Sequence, residues 1–290
     1  MEKMYYPQEL INSIKELAVE LSNATDKNLI DEKVCFYTNY RPHMERIKNV
    51  LSLAPDSPKS ILEIGSGIGT NCLLAKAFTG ADIVGVEPAP ESYSLLLKCI
   101  DDFRNANPHL QYSAINCSGE HIPYSNESFD FIYSFETLEH VQDPEQVLKE
   151  IYRLLKFGSC AYISTCNYDS FYEGHYKKFW NPFISPEANG KRYERKGFSK
   201  QFLKELNFIT KKKIREWVKQ IGFKELIFNP KMSGTYSACT VEAVYPENFV
   251  LPTDVHTQPT WLHKTIESPR MAKILATFDR DYKLYILLQK

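Results

Sequence analysis

The chain has 290 residues, 43% of them apolar and 24% charged, which suits one large α/β domain with insertions and excludes wholesale disorder. No apolar run reaches the length of a membrane span, and the N-terminus lacks the three-part secretory pattern, so the expected location is cytoplasmic. Its 35 basic and 36 acidic residues leave a net charge of −1, but residues 170–224 hold fourteen Lys and Arg against five Glu, a local +9 that suits an anionic partner. The seven cysteines are odd in number and scattered without paired ligand spacing, the pattern of reduced thiols.

Residues 1–58 read as an N-terminal helical cap, with apolar residues at helical spacing in "PQELINSIKELAVELSN" and a Pro start before "HMERIKNVLSLA". After "APDSPKS" the pattern becomes short apolar strands alternating with helices. Strands are expected at 60–64, 82–87, 111–116, 129–134 and 159–165, and helices near 70–78, 91–105 and 144–156. Such alternation predicts a doubly wound, largely parallel sheet covered on both faces. An aromatic and basic insertion follows at 168–210, then a helix in "TKKKIREWVKQIGF" closed by Gly222, a strand in "FKELIFNP", and a second insertion at 230–280 with a helix at 261–278. The last strand is expected at 282–289. The helix in "TKKKIREWVKQ" is expected to turn a solvated basic face outward, which would account for Lys211 to Lys213 without a ligand.

Within "ILEIGSGIGT", Gly65, Gly67 and Gly69 make a sharp strand-to-helix turn. Glycine lets a ligand lie against the backbone while helix amides point at its polar end. Dinucleotide binding calls for G-x-G-x-x-G, whereas this turn reads G-x-G-x-G with Glu63 two residues ahead of it. A pyrophosphate is repelled by such an acid, while the sulfonium and ammonium of S-adenosyl-L-methionine are favoured by it. About twenty residues on, Glu87 ends the second strand, where an acid takes two ribose hydroxyls.

Across residues 40–167 the order "LEIGSGIG", "VGVEP", "GEHIPYSNESFDFIYSFETLEHVQDP" and "LKEIYRLLKFGSCAYISTCN" resembles the class I S-adenosylmethionine-dependent methyltransferases. The nearest likeness is to the methyltransferase type 11 group, which includes ubiquinone and menaquinone biosynthesis enzymes. The resemblance implies a seven-stranded, mostly parallel Rossmann-like sheet with an antiparallel last strand and insertions after strands five and six. It also implies a cofactor set of Glu63, Gly65, Ser66, Gly67, Gly69, Glu87, Pro88, Ser118, Gly119, Glu120 and Ser134. Ser118 stands where the group usually carries Asp, and "LKFGS" and "STCN" replace "LKPGG" and "STPN".

Methyl transfer mainly needs alignment and exclusion of water, with a base useful for an oxygen acceptor. "FETLEHVQDP" places Glu136, Glu139 and His140 at the rim of the crevice. A similar E-x-x-E-H in the ubiquinone-biosynthesis enzymes is associated with a divalent metal. The competing reading is a helix-starting turn with Asp143 as cap before Pro144, so a metal is not the favoured expectation. His140 and His175 are the candidate catalytic residues, and Asn167, Tyr176, Trp180, Arg192 and Arg195 the candidate acceptor contacts. Tyr37, Tyr40 and Arg41 are placed to close over the cofactor. The expected activity is methyl transfer to a small molecule, most readily O-methylation of an anionic sugar or glycan precursor. An RNA methyltransferase and a non-catalytic cofactor-binding protein are the alternatives, and nucleic acid is the less expected partner.

Overall fold

The structure is a computed structural model that describes residues 1–22, 27–89, 94–198, 202–232, 239–251 and 281–290. Eight helices and eleven strands are described. The N-terminal segment holds β1 (Glu2–Tyr5), α1 (Gln8–Ser22), α2 (Lys27–Thr38) and α3 (Tyr40–Leu51). The alternating part runs β2 (Ser60–Ile64), α4 (Thr70–Thr79), β3 (Asp82–Val86), α5 (Ser94–Ala106), β4 (Ser113–Ile115), β5 (Phe129–Phe135), α6 (Pro144–Leu154) and β6 (Leu155–Cys166). The insertion contributes β7 (Tyr172–Glu173), β8 (Lys178–Phe179) and α7 (Pro186–Glu194). Then come α8 (Lys211–Ile221), β9 (Glu225–Phe228), β10 (Val241–Val244) and β11 (Lys283–Gln289).

Seven strands form one sheet in the order β4-β3-β2-β5-β6-β11-β9. The five from β4 to β6 are mutually parallel, and β11 runs antiparallel to both β6 and β9. This is the seven-stranded sheet of the class I methyltransferases. The order of strands reverses between β2 and β5, so a crevice opens at their carboxyl ends.

Side chains alternate between two cores because successive strand residues face opposite ways. Ile61 of β2 and Phe131, Tyr133 and Phe135 of β5 join the layer that holds α1, α3, α4 and α5. Leu62, Ile64 and Ile132 pack into the opposite layer with Val147, Ile151, Ile214 and Val218 of α6 and α8. Local signals set the helix ends. Asp143 caps α6 by accepting from the Gln146 amide, with Pro144 following, and Gly222 ends α8 at φ +99°.

Three features depart from the expectation. β6 begins at Leu155, directly where α6 ends, without the loop expected before 159. β4 is confined to three residues, since Pro108–Leu110 form a 3₁₀ turn. The N-terminal segment is not wholly helical, because β1 pairs in parallel with β10. Asn107 holds β1 down: its Oδ1 accepts from the Tyr5 amide at 2.7 Å, and its Nδ2 donates to Tyr5 O at 3.0 Å. The expected start of helix 91–105 and the helix at 261–278 lie outside the described residues, as does most of the second insertion.

The 168–210 insertion has a small core of its own, built from Tyr168, Trp180, Tyr193, Leu203 and Leu206. Trp180 is 2% exposed, its indole N–H donates to Tyr168 O at 3.1 Å, and its ring stacks on Phe208. Its structural place is the centre of this core, in contrast to the acceptor contact expected from the sequence. Trp180→Ala is expected to cost about 3–5 kcal/mol in a denaturant titration, while binding of S-adenosylhomocysteine persists below the transition.

Candidate active site

The crevice is a cleft of about 830 Å³ at the carboxyl ends of β2, β3 and β5. Its floor is the turn after β2. Gly65, Gly67 and Gly69 sit at φ +78°, +53° and +91°, a region L side chains rarely adopt. Their reasons differ. A Cβ on Gly65 would collide with Thr137, and one on Gly69 with the Tyr112 ring, whereas a Cβ on Gly67 would meet nothing within 4 Å. Gly65 and Gly67 both line the cleft, and Gly67 does so where a Cβ would point into open space. Its amide donates to Glu87 Oε2 at 2.9 Å, so the acid at the end of β3 is fixed against the turn. Burial pushes the Glu87 carboxyl above the usual range, and the Gly67 amide opposes that shift.

Glu63 is fully buried behind the turn and does not line the cleft. Its Oε1 accepts from Asn71 Nδ2 at 2.8 Å and its Oε2 from the Cys72 thiol at 3.0 Å and the Tyr133 hydroxyl at 3.3 Å. Burial raises its carboxyl to about 7 against the pull of these donors. The expectation that Glu63 meets a cationic cofactor, directly or through water, is thus not met at the cleft wall, where its hydrogen-bond partner Asn71 stands instead.

At the far end, Ser118, Gly119 and Glu120 lie on the wall as expected, with Pro88 beside Glu87. Glu120 is committed to structure. Its Oε1 accepts from the amides of Gln142 and Asp143 at 2.8 and 3.1 Å, tying this loop to the start of α6. Ser134 donates to Ile64 O at 2.9 Å within the sheet and is not part of the wall.

The near wall comes from α2 and α3, through Phe36, Tyr37, His43 and Arg46. Tyr37 lines the cleft as expected; Tyr40 and Arg41 do not. The Arg46 guanidinium lies 4.5 Å from the centre of the Phe135 ring, which faces the cleft. Periodicity marks α3 as amphipathic but does not tell which residues of its inner face look into the crevice, so His43 and Arg46 were not legible in the sequence.

Past β5, Glu136 adopts φ +50°, a strained conformation for a side-chain-bearing residue at the site's rim. Ser164 donates to its Oε1 at 2.8 Å, and Lys283 lies 3.4 Å from the same oxygen. His140 stands on the cleft wall, and its ring lies edge-on to His175 with centroids 5.2 Å apart. His175 in turn bonds Glu173 Oε1 through Nδ1 at 2.6 Å, and Glu173 is buried and held by the Tyr176 amide. Enclosure on its inner side, and then the neighbouring His175, hold His140 below the ordinary value. Burial works against charge on His175 too, but the Glu173 hydrogen bond and charge outweigh it and raise its value. The sequence thus named both histidines but not Glu173, the acid that orients one of them.

Glu139, His140 and His175 each offer a ligand atom within 4.8 Å of the others, as do Glu136, Glu139 and Cys166. A divalent ion would draw on the first set with His175 in place of Glu136, whose carboxylate is already matched by Lys283. The expected acceptor contacts are not brought together at the cleft. Asn167 Nδ2 donates to Asp281 O, Tyr176 packs beside Tyr193, Arg192 lies over Phe179, and Arg195 is exposed at the end of α7.

The residues present fit S-adenosyl-L-methionine. The cleft has the volume, Gly67 the bare backbone, and Glu87 Oε1 remains for ribose hydroxyls. Among the described residues four carboxylates line it, Glu87, Glu120, Glu136 and Asp143, against the single guanidinium of Arg46, a balance that favours a sulfonium over a pyrophosphate.

Fold and site together define a class I methyltransferase, and the profile of the methyltransferase domain family matches residues 37–226. The chain belongs to that family, whose cofactor is S-adenosyl-L-methionine. It is 31% identical over 136 residues to the ubiquinone biosynthesis O-methyltransferase of Paracidovorax citrulli, covering 45% of this chain and 55% of that one. It is 27% identical to the demethylmenaquinone methyltransferase of Lactobacillus johnsonii, covering 66% and 84%. Among solved structures, an S-adenosylmethionine-dependent methyltransferase of Thermotoga maritima aligns with a TM-score of 0.50 at 18% identity, over 97% of this chain and 99% of that one. The chain spans less than half the length of the first curated relatives it matches.

Two measurements follow from the geometry. Glu87→Ala is expected to weaken S-adenosylhomocysteine binding about 10- to 100-fold in calorimetry, the cost of losing a charged hydrogen-bond acceptor. Between pH 4.5 and 7 the folded chain keeps on Glu63 a proton that the unfolded chain has lost, so this group's contribution to stability falls as pH rises through that window. Denaturant titrations at pH 5 and 8 should therefore show Glu63→Gln gaining on wild type by about 1 kcal/mol or more at the higher pH.

Proposed function

We propose that the protein transfers a methyl group from S-adenosyl-L-methionine to an oxygen of a small hydroxylated molecule. The carrying observation is His140, whose imidazole stands on the wall of the cofactor-sized cleft with His175 and Glu173 in line behind it. The cofactor supplies an electrophilic methyl on a sulfonium. Phe36, Tyr37 and Phe135 line the cleft, and Tyr37 and Phe135 would help keep water from the reacting atoms. Held below its ordinary value, His140 is uncharged at neutral pH and can accept the proton an acceptor hydroxyl loses. The carboxylate of Glu173 favours the charged form of the adjacent His175, which in turn keeps His140 uncharged and able to accept. The printed name of the Paracidovorax relative agrees with transfer to oxygen.

An anionic sugar or glycan precursor as acceptor is the finer reading, supported by the +9 charge of residues 170–224. Its basic residues lie outside the cleft wall, so it stands or falls on whether they touch a bound acceptor.

Transfer of labelled methyl from the cofactor to a panel of hydroxylated acceptors, neutral and anionic, tests both readings. With an acceptor in hand, His140→Ala is expected to lower kcat about 100-fold or more while cofactor affinity holds; unchanged kcat would remove the base. Neutralising Lys191, Arg192, Arg195 and Lys196 together should raise KM for an anionic acceptor and leave that for a neutral one alone.

A further inference from the structure

His43 on α3 is 6% exposed and has three polar neighbours. Its Nε2 lies 3.0 Å from Phe36 O, and a carbonyl only accepts, so Nε2 carries a hydrogen. Its Nδ1 lies 3.0 Å from Asn71 Oδ1 and 3.1 Å from Arg46 Nη2. These two make opposite demands. A guanidinium only donates, so Arg46 requires Nδ1 without a proton, whereas the amide oxygen of Asn71 requires Nδ1 with one. The amide is held in that orientation because its nitrogen donates to Glu63 Oε1. One ring nitrogen cannot satisfy both neighbours at once.

Arg46 is also the cation of the cleft wall, beside the first turn of α4 where Thr70 and Asn71 face the opening. Glu87 and the Ser118 to His121 loop occupy the other parts of the wall, where ribose and base would lie. Next to Arg46, beside the glycine turn, the cleft would take the amino-acid portion of the cofactor, whose carboxylate is the group a guanidinium matches. A carboxylate there competes directly with His43 for the guanidinium.

We propose that His43 positions Arg46 in the open cleft, and that when the cofactor carboxylate draws Arg46 away His43 takes a proton from solvent at Nδ1 and closes onto Asn71. The exchange replaces a mismatched contact with two matched ones. It also ties α2, through Phe36 O, to α4 and to Glu63 of β2, so the wall of the cleft tightens as the ligand enters. The other ionisable groups near the ring are Glu63, with its Cys72 and Tyr133 donors, and Arg46 itself. Burial, and then Arg46, hold His43 below its ordinary value in the open form, which is the state from which a proton can be gained.

The proposal rests on the family's cofactor and is tested by calorimetry near pH 6.5 in buffers of different ionisation enthalpy, with S-adenosylhomocysteine as the probe. Wild type is expected to take up a large fraction of a proton on binding, and its affinity to fall by about three- to tenfold from pH 6 to pH 8. Uptake should vanish in His43→Gln and in Arg46→Met, the second variant serving if the first does not fold. 5′-Methylthioadenosine, which lacks the carboxylate, should bind without uptake. Equal uptake in wild type and either folded variant, or equal uptake with methylthioadenosine, would overturn the proposal while leaving the cofactor intact; no binding of either nucleoside would overturn the cofactor assignment itself.

Discussion

The site depends on one hydrogen bond, from the Gly67 amide to the carboxylate of Glu87. It forms because the chain turns through left-handed φ values at Gly65, Gly67 and Gly69, which a side chain disfavours. Two of the three glycines are there because Thr137 and Tyr112 approach the backbone too closely for a Cβ. The neighbouring strand ends and the packing of β4 thus fix the floor on which the third can face a ligand. β2 and β3 are locked to the same geometry, since the amides of Gly65 and Ser66 both donate to Val86 O.

Behind that floor runs a chain of polar groups that crosses the sheet layer to the N-terminal helices. Tyr133 and Cys72 donate to Glu63, Asn71 joins Glu63 to His43, and His43 reaches the end of α2. A fully buried acid with three donors is costly to remove and rigid once satisfied. It makes the position of α3, and hence of one whole wall, a consequence of a residue that never touches the cleft.

What the sequence discloses and what it hides divide along physical lines. The glycine turn, Glu87 and the alternating strands are local patterns that the sequence carries, though β4 is shorter and β6 longer than their patterns predict. The sequence suggests a ligand role for Glu63 because an acid two residues ahead of the turn suits a cationic cofactor. Strand alternation already argues otherwise, since Ile61 and Glu63 share a face that Ile61 buries against the helices. Arg192 and Arg195 were chosen for charge and Trp180 for its neighbourhood, but charge and composition do not say which way an insertion folds. The insertion turned Trp180 into its own core and left the two arginines outside the cleft. Glu173 was hidden because the hairpin of β7 and β8, which aims it at His175, is set by long-range packing. His43 and Arg46 belong to a helix whose register against the sheet no short pattern encodes.

The arrangement of β6, β11 and β9 has a consequence for how the chain assembles. β11 sits between β6 and β9 in space but follows both in sequence. Until it is made, β6 presents a bare edge of backbone donors and acceptors, and β9 has, among the described residues, no strand to pair with. The five parallel strands can gather first, but the sheet stays open on one side while the long segment before β11 is synthesised. An exposed strand edge of that kind is a template for pairing with other chains. The sheet is therefore exposed between the making of β6 and the making of β11, and the strand that closes it is the same one that brings Lys283 to Glu136 at the rim of the cleft.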